Sequence, residues 1–195
     1  AIRLGLFGAG MQGHTQTMAI SEVFEIEELR IYDINKEAAL KFKEDMKGFV
    51  KGEIIIADIP EEAAVGDAVV CVTQSKDKFV KNEWIRPGMI LFPMGSYQEC
   101  EDEFILNADK IIVDHIGQCL HRGALANLNA AGSITENDIS ATIGEVVAGK
   151  KQGRTSDSER ILCIPIGTGA MDIAVATQVY RRALERNLGD KFVFA

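Results

Sequence analysis

Short apolar runs recur at Arg3–Phe7, Leu29–Asp33, Glu53–Ile56, Ala68–Val72, Met89–Phe92 and Lys110–Val113, and several intervals between them carry apolar residues at helical spacing. The clearest helical interval is Lys36–Met46, where Ala39, Phe42 and Met46 fall on one face. Nearly continuous apolar runs belong to strands buried on both sides, and strands joined through helices lie parallel with right-handed crossovers. The expected fold class is therefore α/β, a doubly wound, mostly parallel sheet with helices on both faces. Gly66-Asp67 and Arg86-Pro87-Gly88 supply the turns that start two of the strands. After Val113 the pattern predicts a helix over Ile139–Ala148 closed by Gly149, a strand over Arg160–Ile166, and a long helix that opens at Gly167-Thr168-Gly169 and reaches Arg186 ahead of Gly189.

The first strand runs directly into Gly8-Ala9-Gly10-Met11-Gln12-Gly13, a GxGxxG turn that opens a helix. The three glycines serve different ends. Gly8 permits the tight turn, Gly10 lets backbone approach a pyrophosphate, and Gly13 lets the helix pack against the strand. The N–H groups at the helix start then hold phosphates. The second strand ends in Asp33, 20 positions beyond Gly13, near the offset at which a carboxylate grips a ribose 2′-hydroxyl. Strand, turn, helix, strand and acid together define a Rossmann-type NAD-binding domain over residues 1–195, with Gly8, Ala9, Gly10, Met11, Gln12, Gly13, Asp33 and Ile34 as cofactor contacts. The alternative is a phosphate-free turn in which Asp33 only caps the next helix. A 2′-phosphate beside an ionised carboxylate is repelled, which favours NAD over NADP. Lys36 is either the group that would hold such a phosphate or a solvated charge at a helix start. The loop Thr73-Gln74-Ser75-Lys76-Asp77 falls at the carboxyl edge of the sheet, so Thr73, Gln74 and Ser75 are either nicotinamide-side contacts or plain solvent-facing loop residues.

Composition narrows the function classes. A net charge of −8 and the lack of a basic stripe argue against nucleic acid or an anionic membrane surface as partner. The longest apolar stretch, Ile161–Ala176, is broken by Pro165, Gly167, Gly169 and Asp172, which excludes a membrane span there. The 4 cysteines, Cys71, Cys100, Cys119 and Cys163, lack metal-ligand spacing and read as reduced structural thiols. With no leader ahead of the first strand, the expected compartment is the cytoplasm. His14, on the first turn of the phosphate helix, and His121 are each either a cofactor contact or a satisfied structural residue.

Three segments in combination resemble the ornithine cyclodeaminase/μ-crystallin family: Gly8–Gly13, Ile143-Gly-Glu-Val-Val-Ala-Gly149 followed by Gly153-Arg154, and Gly167-Thr-Gly-Ala-Met-Asp172-Ile-Ala-Val-Ala176 with Val179-Tyr180. The resemblance covers nearly the whole chain and implies a Rossmann domain that follows a separate amino-terminal substrate and dimerisation domain, absent from this chain. It implies that Asp172 partners the substrate amine and acts as general base, whereas composition alone allows an acid that merely complements a helix macrodipole. It also implies NAD-dependent chemistry at the α-carbon of an amino acid, with an amino or imino acid as the small-molecule partner, and a homodimer or a pairing with a chain that supplies the substrate domain. The segment Leu91-Phe-Pro-Met94-Gly95-Ser-Tyr-Gln98 is shorter than the family's nicotinamide-side loop, and Met94 and Gly95 are the cofactor candidates within it. Arg122-Gly-Ala likewise departs from the family's usual pattern after His121. The function expected is an amino acid dehydrogenase or ornithine cyclodeaminase. The alternatives are a ketimine reductase, which runs the same chemistry backwards, and a crystallin-like NAD(P)-binding protein without catalysis.

Overall fold

A computed structural model describes residues 1–190 and Phe192. The apolar runs form eight strands: β1 (Ile2–Phe7), β2 (Ile26–Tyr32), β3 (Glu53–Ile56), β4 (Ala68–Cys71), β5 (Ile90–Pro93), β6 (Lys110–Val113), β7 (Ala141–Thr142) and β8 (Ile161–Ile164). They make one sheet in the order β3-β2-β1-β4-β5-β8-β6-β7, and every pairing is parallel. The helices are α1 (Met11–Ser21), α2 (Lys36–Met46), α3 (Pro60–Ala63), α4 (Asp102–Leu106), α5 (Ile116–Cys119), α6 (Ala126–Ala130), α7 (Ile143–Val147) and α8 (Gly169–Glu185).

Strand alternation divides the core between the two faces. Phe7, Val69, Cys71, Leu91, Ile111, Val113, Leu162 and Ile164 point into one cluster, closed by Ala63 of α3, by Phe104 and Ile105 of α4, and by Leu125 and Leu128. Leu4, Leu6, Leu29, Ile31 and Val70 point the other way, against Phe42 and Met46 of α2. Ile112, Ile161 and Cys163 form a smaller group on that second side with Ile143 and Val146 of α7. Between these last two groups the described residues leave an apolar groove of about 730 Å³ that runs from Phe24 past Leu4, Val70, Phe92 and Met94 to Met171.

Local chemistry accounts for most boundaries. Asn35 caps α2, its Oδ1 accepting from Glu37 N–H at 3.0 Å and Ala38 N–H at 3.2 Å. The predicted helix over Ile139–Ala148 is corrected: residues 141–142 are the edge strand β7, and the helix starts only at Ile143. Thr142 and Glu145 form a capping box there, each side chain bonding the other's backbone N–H, which sets the start. The interval between β4 and β5 holds only a short 3-10 turn at Asn82–Trp84. Helix α8 spans 17 residues and buries none of them, exposing Met171, Ile173, Val175, Val179, Tyr180 and Leu184.

Candidate functional site

Because every strand runs the same way, the residues that leave them gather on one edge. Phe7 pairs with Tyr32 on one side and with Cys71 on the other, and Cys71 pairs with Pro93, so Gly8, Asp33, Thr73 and Gly95 all emerge beside one another. The chain turns outward in opposite directions from β1, to β2 on one side and to β4 on the other. That switch point opens the crevice in which sheets of this kind bind ligands.

The glycine turn fills it. Gly8 has φ +106°, and a Cβ there would lie 2.8 Å from the Val72 carbonyl oxygen. At Gly13 a Cβ would come within 2.2 Å of the Gly8 carbonyl oxygen, so α1 seats on its own turn only with glycine in place. Gly13→Ala is expected to cost about 1–3 kcal/mol of stability, the usual range for overpacking, as read by denaturant unfolding. At Gly10 a Cβ would meet nothing within 4 Å. No side chain caps α1, no acid lies in its first turn, and its first backbone bond is His14 N–H to Gly10 O at 3.2 Å. The N–H groups ahead of that bond remain for a ligand. Met11 and Gln12 are exposed at this end.

Asp33 closes the turn from the β2 side. Its Oδ2 accepts from Ala9 N–H at 2.7 Å and its Oδ1 from Asn35 N–H at 2.8 Å. The cap of α2 is Asn35, so Asp33 is not the helix cap of the alternative reading; it is half-buried against the glycine turn with acceptor capacity to spare. Ile34 beside it is almost fully exposed. Lys36 pairs with Asp58 at 2.9 Å on the open surface. His14 is tied down structurally, its Nδ1 2.9 Å from Gly10 O, its Nε2 3.2 Å from Asp45 Oδ2, and its ring edge-on to Phe42. Among the described residues His121 bonds only the Gly117 carbonyl, at 2.8 Å.

The β4 and β5 side is organised by a residue that sequence reasoning missed. Glu99 is fully buried, and its Oε1 accepts from Thr73 N–H at 2.9 Å and Thr73 Oγ1 at 2.5 Å while its Oε2 accepts from Gly95 N–H at 3.2 Å. Burial pushes its carboxyl up from the ordinary range, and the bonds from Thr73 and Gly95 pull it back. Ser75 is held in the same loop, donating from its N–H to Thr73 Oγ1 at 3.1 Å and from Oγ to Asp77 O at 3.2 Å, whereas Gln74 is exposed. Met94 directs its side chain into the apolar groove.

A second missed acid, Asp114, follows β6. It accepts from Gly167 N–H at 2.5 Å and His115 N–H at 2.7 Å, and so fixes the glycine loop that leads into α8. Asp172 lies in the first turn of α8, exposed and without a hydrogen bond or ion pair among the described residues. Its loop leaves β8, the neighbour of β5, on the same edge as Met94 and Gly95. Arg154 lies elsewhere, lining a cavity with Arg3, Asp67 and Pro87 at the opposite, amino edge, where its guanidinium bonds the Ser156 and Glu159 carbonyls. All four cysteines are buried and free, and burial pushes Cys100, Cys119 and Cys163 up to about 12 and Cys71 well above its ordinary value.

Strand order and glycine turn define a Rossmann-type α/β domain. The ornithine cyclodeaminase/mu-crystallin family matches residues 1–187, and the chain belongs to it. It is 37% identical over 196 residues to an alanine dehydrogenase of Archaeoglobus fulgidus, across 97% of this chain and 59% of that protein. An archaeal alanine dehydrogenase dimer with bound NAD superposes with a TM-score of 0.92 at 36% identity, over 99% of this chain and 61% of the other. The Delta(1)-pyrroline-2-carboxylate reductase of Thermococcus litoralis, in complex with NADH and L-proline, gives 0.90 at 32% identity over 97% and 60%. The chain thus spans about three-fifths of the length of these relatives.

Proposed function

We propose that this chain is the NAD-binding domain of an enzyme that moves hydride to or from the α-carbon of a small amino or imino acid. The observation that carries the reading is the uncapped glycine turn at the switch point, open at Gly10 and braced by Asp33. It fits a dinucleotide: the N–H groups of α1 suit a pyrophosphate, Asp33 retains lone pairs for ribose hydroxyls, and Ile34 offers an exposed apolar surface to adenine. Thr73, Gln74, Ser75, Met94 and Gly95 form the nicotinamide side. The cofactor, when bound, supplies the redox chemistry.

This chain's own contribution beyond binding is Asp172, which orients a substrate ammonium and takes its proton. Reduction of a ketimine is the same chemistry reversed, as the name of the pyrroline carboxylate reductase relative suggests. The substrate carboxylate calls for cations. Arg154 faces the opposite edge of the sheet and Arg122, exposed beside Gly123, is a single cation, so we assign the paired clamp to a further part of the protein or to a partner chain. The exposed apolar face of α8 and the open groove support such a neighbour, a second copy of the protein included. Among the described residues no helix is long and apolar enough to cross a membrane, and the buried free thiols support the cytoplasm as compartment.

Calorimetric titration of this chain is expected to show NADH bound in preference to NADPH, with no turnover of alanine, proline or ornithine by this chain alone. Failure to bind NADH would overturn the cofactor reading; robust turnover would overturn the assignment of the clamp elsewhere.

A further inference from the structure

Glu99 sits fully buried with no cation beside it among the described residues, its carboxylate held by neutral donors alone. A buried carboxylate is costly to desolvate, which stability alone does not favour. The arrangement makes sense as a clamp. Cys71 of β4 and Pro93 of β5 are register partners, so Thr73 and Gly95 continue the pair beyond the end of the sheet, and one Glu99 oxygen takes each of them. The approach is close: a Cβ on Gly95 would lie 2.9 Å from Glu99 Oε2 and 3.1 Å from Thr73 O. The same segment pins the far end of the β4 loop, because Val80 N–H donates to Glu99 O at 2.9 Å and Lys78 pairs with Asp102 at 2.6 Å. Gln98, also buried, donates to Cys100 O at 2.9 Å and to Asp102 Oδ1 at 2.5 Å, which holds the segment itself. The β4 loop is thus fastened at both ends before any ligand arrives.

We infer that Glu99 is a positioning residue for the nicotinamide half of the site, setting the spacing between the Thr73 and Gly95 loops that receive the ring without touching the ring itself. The inference rests on the NAD reading above. Asp33 and the glycine turn serve the adenosine and pyrophosphate from the other side of the switch point, and the Glu99 carboxylate bonds Thr73 and Gly95, not Asp33 or the turn.

The test compares NADH with ADP-ribose, which lacks the nicotinamide, on the unmodified chain and on Glu99→Gln. Glutamine keeps the shape but opposes an N–H to one of the three donors. NADH affinity is expected to fall about tenfold, the consequence of setting donor against donor, with ADP-ribose affinity within about twofold of its original value. Equal losses for both ligands, or no loss for either, would overturn the inference. Should the variant not fold, amide exchange on the unmodified protein decides: NADH must slow exchange at Thr73 and Gly95 beyond what ADP-ribose does, and equal protection overturns the assignment. If the unmodified chain binds ADP-ribose and NADH alike too weakly to measure, it is the NAD reading that falls, and the clamp's role with it.

Discussion

Asp172→Asn is expected to lower turnover of the whole enzyme by about 10²–10⁴-fold, the range typical of a lost general acid–base, with NADH affinity hardly changed. Asn preserves the shape of the side chain and removes its charge. The prediction follows from where Asp172 stands: in the first turn of α8, exposed, free of hydrogen bonds and ion pairs among the described residues, and carried by the strand beside β5. A carboxylate kept for structure would be expected to hold a backbone N–H, as Asp114 and Glu145 do. Asp172 holds none. The competing role is electrostatic, since an acid near a helix N-terminus stabilises the helix by about 0.3–1 kcal/mol. The two roles separate in measurement. Loss of melting temperature with turnover per folded molecule unchanged would assign Asp172 to the helix, and loss of turnover in a protein of unchanged stability assigns it to proton transfer.

The half of the sheet that carries the glycine turn was legible in the sequence because its signals are local. The run from Arg3 to Phe7, the three glycines and the acid after β2 each dictate a conformation within a few residues, and the structure joins them through the Ala9–Asp33 bond. Signals that depend on distant packing were not legible. Nothing near Ile161 says that β8 inserts between β5 and β6, because strand order is decided by which faces can be covered. The edge strand Ala141–Thr142 is too short to show a period of its own, so its residues read as part of the helix that follows. There the local signal did exist: Thr142 with Glu145 is a capping box, which places the helix start at Ile143.

The two missed acids differ in kind. Asp114 follows a buried strand run just as Asp33 does, and the same strand-end rule would have found it. Glu99 lies in a polar segment, Tyr97-Gln98-Glu99, that reads as exposed loop, and its burial appears only when the loops after β4 and β5 close over it.

Asp33→Ala is expected to narrow the preference for NADH over NADPH by at least about tenfold, because a hydrogen bond from the ribose 2′-hydroxyl to a charged acceptor is worth roughly 1.5–3 kcal/mol and NADPH has no such hydroxyl. The structure complicates any reading of affinity alone. Asp33 also braces the glycine turn through Ala9 N–H at 2.7 Å and Asn35 N–H at 2.8 Å, so alanine at this position loosens the phosphate cradle as well. That loss falls on both cofactors equally, since they share the pyrophosphate, and it cancels in the ratio of the two affinities. What remains in the ratio is the 2′ position alone: NADH loses its hydrogen bond, and NADPH is relieved of a carboxylate beside its phosphate. Lys36 contributes little to either, being exposed and paired with Asp58 at 2.9 Å, so Lys36→Ala serves as the control that leaves the ratio in place. Affinities for both cofactors that drop together in Asp33→Ala, with their ratio unmoved, would reduce Asp33 to a brace for the turn and remove the carboxylate from ribose recognition.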